Sequence, residues 1–303
     1  MMNGRLLHSH SSLSIHHSME TIILLYKTIL LRPYVFLFLA VFVFSARRLL
    51  GWRRTGLFFA ITWITAFLCE FSSTRTGIPF GWYHYTGSTV GQELYLSNVP
   101  FMDSLSFTFL LYASYCLALF FLLPVHDVGM IEWPASARTS ITALVFDPKV
   151  RTSRPALVLT VLFFAFIDMV IDPLALRGDQ WFLGKIYYYP DHGIHFGVPV
   201  ENYIGWAIVG LIALSSYFIL DRRLQSISSE PPVTRPVTPV TNDILLGCGL
   251  YYGVLVFNLA LTFWIGEALL GMTGVLIYLP ITTLMLLRLR GRLAPHSMRR
   301  TDS

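Results

Sequence analysis

RPALVLTVLFFAFIDMVIDP, residues 154–173, decides the fold. Between Arg154 and Asp168 it carries no charged residue, and its length is near the roughly 20 residues a helix needs to cross a bilayer. Two carboxyls interrupt the far end. Asp168 and Asp172 are four residues apart, so on a helix they share one face, a turn from one another. Pro173 favours a helix end close by. An ionisable group in a membrane segment is costly to keep and marks a functional site by default.

Working outward, the rest of the 303-residue chain is of the same kind: 54% hydrophobic and 13% charged, the composition of a polytopic membrane protein. Seven segments reach spanning length, near 33–50, 55–72, 104–124, 154–172, 202–220, 244–264 and 267–288. The expected fold is therefore all-α, an integral membrane protein of about seven transmembrane helices. The stretch 21–31, broken by Lys27 and bounded by Arg32 and Pro33, reads either as an early start of the first span or as an interfacial helix.

Lysine and arginine give the orientation. Arg47, Arg48, Arg53 and Arg54 separate spans one and two; Arg138, Lys149, Arg151 and Arg154 separate three and four; Arg222, Arg223 and Arg235 separate five and six. With the five arginines that close the chain, sixteen of the 22 basic residues fall on one side. The positive-inside rule then predicts the N-terminus out and the C-terminus in. It also brings loops 73–103 and 173–201 out on the same, outer side.

Three regions follow. Residues 1–18 form a polar, His-rich tail without the apolar core of a signal peptide; Met19 is a more natural start, and the tail reads as disordered or as an extension of the true beginning. Residues 19–290 form the membrane domain, including a Pro/Thr-rich inner-side linker over 226–243 that is too poor in apolar residues to pack. Residues 291–303 are a basic tail.

Several chemistries lack a foothold. Cys69, Cys116 and Cys248 sit in apolar stretches without disulfide or metal spacing. The net charge of +5 comes from residues punctuating the spans, so no nucleic-acid partner is expected. Four of nine histidines lie in the N-terminal tail, and the His192/His195 pair has no third and fourth ligand. There is no Gly-rich phosphate loop, no G-x-S-x-G and no aspartate-rich diphosphate motif. Neither a metal nor a cofactor is expected.

What remains is acid chemistry in an aromatic surround. A carboxyl in a low dielectric keeps its proton to higher pH, and two close carboxyls titrate as a pair. Such an acid can protonate an alkene, and aromatic faces stabilise the cation that results. Trp82, Tyr83, Tyr85, Trp181, Tyr187, Tyr188, Tyr189 and Trp206 are available, although Trp and Tyr also form belts at membrane interfaces. Glu70, at the outer end of span two, is a third carboxyl of the site or an interfacial group paired with Arg75. Asn202, at the opening of span five, caps that helix or orients a water. Asp103 reads as an N-cap of span three.

At these residues the chain resembles a known family. GIPFGWYHYTG (77–87), IDMVIDP (167–173), Trp181 and FGVPVENYIGW (196–206) are similar to membrane carotenoid 1,2-hydratases of the CruF type, a family also described as bisanhydrobacterioruberin hydratases. The tail, the 226–243 linker and FMDSLSF (101–107) depart from it. The resemblance implies a cofactor-independent hydro-lyase. Its reaction would add water across the terminal C1–C2 double bond of an acyclic carotenoid ψ end (lycopene, γ-carotene or a C50 precursor) to give a tertiary alcohol. Asp168 and Asp172 would supply the proton and Glu70 or Asn202 would position the water. Phe80, Trp82, Tyr83, Tyr85, Trp181 and Trp206 are the expected substrate-binding residues. The expected partners are an acyclic or monocyclic carotenoid, the lipid bilayer and other carotenoid-pathway enzymes; the expected location is the cytoplasmic membrane if the source is bacterial or archaeal. Two rival readings are a membrane terpene cyclase that starts with the same protonation, and a non-enzymatic seven-helix receptor or transporter.

Overall fold

The computed structural model describes residues 18–132, 138–144, 147–227 and 240–293. Most of the two expected tails and the middle of the 226–243 linker lie outside them. Among the described residues seven helices are long and apolar enough to cross a membrane, and the chain is a multi-pass integral membrane protein. A helix over 18–31 (α1) precedes them. It ends at Arg32, one residue before the next helix, and leaves Ile22, Ile23, Tyr26 and Leu30 exposed.

The spanning helices are α2 (Pro33–Leu50), α3 (Trp52–Thr76), α4 (Phe101–Leu122), α6 (Arg154–Ala175), α7 (Val200–Ile227), α8 (Thr241–Trp264) and α9 (Ala268–Leu293), with a one-turn α5 (Pro148–Arg151) before α6. Helix α3 runs past the expected end at residue 72, because the polar SSTRT segment continues the helix until Gly77. There φ is +73° and the Gly77 N–H bonds back to the Ser73 carbonyl at 2.9 Å, a left-handed cap that glycine adopts without a Cβ penalty. Helix α4 is the centre of the bundle. Every residue from Phe107 to Phe120 is buried, as befits a helix that is apolar all round and packed by α2, α3, α6 and α8.

Among the described residues, three antiparallel strand pairs accompany the bundle. They are β1 (His84–Tyr85) with β6 (Tyr187–Tyr188), β2 (Tyr95–Leu96) with β3 (Val99–Pro100), and β4 (Val125–Glu132) with β5 (Arg138–Leu144). The β1–β6 pair joins the α3–α4 loop to the α6–α7 loop, with His84 opposite Tyr188 and Tyr85 opposite Tyr187. The two motif-rich loops thus meet at one end of the bundle.

Each end is tied by buried charge. At the loop end Arg32, fully buried, pairs with Glu93 (Nη2–Oε1 3.1 Å) and donates to the Leu183 carbonyl at 2.7 Å, so the α1–α2 junction clasps both loops. At the opposite end Arg54 and Arg151 converge on the buried Asp221, Arg54 at 2.6 Å, and Arg48 meets Asp243 at 2.7 Å. Arg48, Arg54 and Arg151, three of the basic residues counted toward one side of the membrane, thus lie at the same end of the bundle.

Candidate active site

Strand alternation selects which aromatics face inward. Successive residues of a strand point to opposite faces, and directly opposed residues share one. Tyr85 and Tyr187 are opposed, and together with Tyr83 and Tyr189 they turn into the bundle, all four lining one chamber. His84 and Tyr188 are opposed on the other face, where Tyr188 is exposed. Trp82 shares the outer parity with His84: it is 52% exposed, its ring lies 6.4 Å from that of His84, and it packs over Gly77.

Beneath the tyrosines stand two groups of carboxyls. From α6, Asp168 is fully buried and Asp172 nearly so. Asn202, three residues into α7, donates one amide hydrogen to Asp168 Oδ2 (2.7 Å) and the other to Asp172 Oδ2 (2.6 Å). Tyr189 donates to the same Asp172 oxygen at 2.9 Å. Asn202 therefore neither caps its helix nor has an N–H to spare for a water. It holds the pair. Across the chamber Glu70 of α3 accepts from Ser104 of α4 and lies 3.3 Å from Tyr85 Oη, which also lies 2.7 Å from Asp103 Oδ2.

Two expectations change here. Glu70 is not an interfacial partner of Arg75: it is 3% exposed, while Arg75 binds the Phe71 carbonyl and Asn98. Asp103 is not an N-cap, because α4 begins two residues earlier with Pro100 at the cap, and one oxygen of its carboxyl accepts from Tyr85. Burial, reinforced by Asp103 and Glu70, raises the Tyr85 phenol well above the usual tyrosine value. Burial first and Asp172 next do the same to Tyr187 and Tyr189. These hydroxyls stay protonated, and Tyr85 and Tyr189 donate to Asp103 and Asp172.

Two chambers meet at this point. The polar one, about 40 Å³, is lined by Glu70, Asp103, Asp172, Asn202 and the four inward tyrosines, with Phe80, Phe107 and Trp206 on its apolar side. The other, about 110 Å³, opens among α2, α4, α6 and α8 against residues such as Tyr34, Phe38, Ile171, Trp181, Val254 and Phe257. Asp103, Asp172, Tyr187 and Trp206 line both. Trp206 is fixed by a stack on Phe107, ring centroids 4.3 Å apart, and by Phe164 at 4.8 Å. Phe80 sits directly on Gly205 of α7, where an added Cβ would lie 2.4 Å from its ring.

Of the expected site residues, Glu70, Phe80, Tyr83, Tyr85, Asp172, Asn202 and Trp206 line the polar chamber, and Trp181 lines the apolar one. Asp168 stands behind Asp172, and Trp82 faces out. Asp103 is the residue the sequence undersold. Its only sequence signal was an acid at the mouth of a span, which is also the signal of a cap.

Residues 28–280 match the family model of carotenoid biosynthesis proteins. A bisanhydrobacterioruberin hydratase of Haloarcula japonica is 27% identical over 162 residues, which is 54% of this chain and 44% of that protein. The chain thus spans less than half the length of this relative. No solved structure matches. A match that runs from α1 into α9, over every residue of both chambers, means that the chain belongs to the carotenoid biosynthesis protein family.

Proposed function

We propose that this membrane protein is a cofactor-independent carotenoid hydratase that adds water to the terminal C1–C2 double bond of an acyclic ψ end. The observation that carries the reading is the junction of the two chambers: an apolar slot that suits a polyene end opens onto a polar chamber with carboxyls on opposite walls. Asp172 lies at that junction and gives its proton to C2, leaving a tertiary cation at C1 beside the faces of Trp206 and Tyr187. Asn202 positions Asp172, and Asp168 shares its proton; two carboxyls joined through one amide cannot both ionise cheaply. Water then adds at C1. A cyclase would need the same acid but a dry chamber, so the polar lining favours hydration. Following the positive-inside rule, the loop end faces the outer side.

The test is expression of the full chain in a lycopene-forming bacterium, with mass analysis of the extracted pigments. Hydration adds the mass of one water, and this gain disappears in Asp172→Asn. A changed retention at unchanged mass would mean cyclisation instead. Normal hydration by Asp172→Asn and by Asp168→Asn, with both proteins in the membrane, would refute the acid assignment.

A further inference from the structure

We infer that Asp103 is the base of this reaction, the carboxylate that takes the proton from the attacking water, and that Tyr85 and Glu70 form the relay that holds it ready. The inference rests on the hydratase reading and deepens it. Asp103 and Asp172 are the two carboxyls that line both chambers. A cation formed at their junction thus has an acid on one side and a second carboxyl on the other. Glu70 reaches the polar chamber alone, and its two oxygens are already engaged by Ser104 and Tyr85. Asn202 has spent both amide hydrogens on Asp168 and Asp172.

The two walls are built alike but are wired differently. Each has a front carboxyl at the junction, a rear carboxyl behind it and a polar side chain bridging the two: Asp172, Asp168 and Asn202 on one wall, Asp103, Glu70 and Tyr85 on the other. An amide brings two hydrogens to its bridge. A phenol brings one. Tyr85 gives that hydrogen to Asp103 at 2.7 Å, so the 3.3 Å contact with Glu70 is a hydrogen bond only when Glu70 carries the proton. The chain then reads Glu70–H to Tyr85–H to Asp103 carboxylate. Asp103 is thus left as the acceptor that complements the acid proposed at Asp172, the division of labour that water addition needs.

The step balances. The Asp172 O–H bond breaks as its hydrogen bonds to C2 with the π electrons of the alkene, and C1 becomes cationic. The water oxygen bonds to C1, and the proton it sheds goes to Asp103. Transfer of that proton back to Asp172 through the polar chamber restores the starting state. The sum is alkene plus water to alcohol, with no redox change.

The experiment is hydration of lycopene in D2O by membranes holding the full chain, with deuterium followed in both the alcohol and the recovered lycopene. Loss of the base leaves protonation intact, so the cation forms and collapses by giving a proton back to Asp172. For Asp103→Asn the expected result is a loss of hydration on the order of 10²-fold or more. The recovered lycopene should still gain deuterium at its ends, so the ratio of exchange to hydration rises at least about tenfold. Tyr85→Phe keeps Asp103 and removes only the relay, and a smaller fall with the same rise in ratio is expected. Hydration by Asp103→Asn within about twofold of the parent, or parallel loss of exchange and hydration in both membrane-inserted variants, would overturn the base assignment. If Asp103→Asn does not reach the membrane, Tyr85→Phe decides by the same ratio. A parent protein that neither hydrates nor exchanges lycopene and other ψ-end polyenes would instead remove the hydratase reading itself.

Discussion

Asn202 holds Asp172 through an amide hydrogen at 2.6 Å, reaching from the first turn of α7 to the last turns of α6. Its second hydrogen goes to Asp168. Replacing it should therefore hurt twice. Asn202→Ala leaves the buried Asp168 Oδ2 without a donor and Asp172 Oδ2 with Tyr189 alone, a cost of about 1–3 kcal/mol. Asn202→Asp adds a third carboxyl to a buried pair and should be worse for folding and for hydration. Thermal unfolding in detergent, read beside pigment hydration, should rank parent above Asn202→Ala above Asn202→Asp. Equal stability of the two variants would mean that charge repulsion is not felt at this position.

The buried Arg32–Glu93 pair makes a different kind of prediction, because it fastens the two loops of the carboxyl end to the α1–α2 junction. Removing one partner of a buried pair strands the other charge, at a cost of about 3–5 kcal/mol. Arg32→Met alone and Glu93→Leu alone should each lower the unfolding temperature strongly. The double variant should recover part of the loss, since two apolar side chains can replace a buried pair. Recovery is expected to be incomplete, because Arg32 also satisfies the Leu183 carbonyl and Glu93 accepts from Thr89 at 2.5 Å. A double variant no better than the singles would show that these side contacts outweigh the ion pair.

How far the sequence could be read follows from the range of each signal. The spans and the Asp168/Asp172 face are local: a run of apolar residues and a spacing of four carry them. Glu70 stood out for the same reason, as a charge in a span. Asp103 did not, because its functional contact is with Tyr85, 18 residues away, whereas a helix-start reading needs only its neighbours. The division of WYHY into inward Tyr83 and Tyr85 and outward Trp82 and His84 depends on pairing with residues a hundred positions later. Two-residue strands are too short to show their period in the sequence. Arg32 looked like a break in an apolar stretch. Its meaning lies in Glu93, 61 residues on.

Gly205 tests how closely α7 must approach the α3–α4 loop. An alanine Cβ there would fall 2.4 Å from Phe80 Cδ1 and 2.8 Å from Phe80 Cα. The ring could turn aside, but the backbone atom cannot, so the loop must move. Gly205→Ala should cost about 1–3 kcal/mol, as overpacking does, and should lower hydration by displacing Phe80 and the adjoining Tyr83. Gly56, with nothing within 4 Å of an added Cβ, is the control, and Gly56→Ala should leave both readouts unchanged.

The apolar chamber should be separable from the acid chemistry. Val254 of α8 is buried on its wall opposite α4, near the stack of Phe257 on Tyr34 with ring centroids 5.2 Å apart. On the proposed reading, a bulkier side chain here would intrude on a polyene held in this chamber and leave Asp172, Asp103 and their bridges in place. Val254→Phe should raise KM for lycopene about tenfold while kcat at saturation stays within about threefold, the pattern of lost ground-state binding. Asp172→Asn should show the reverse, a collapsed kcat with KM little changed. If Val254→Phe instead lowers kcat as steeply as Asp172→Asn, with the protein still folded, the polyene does not lie in this chamber and must reach the carboxyls by another side of the bundle.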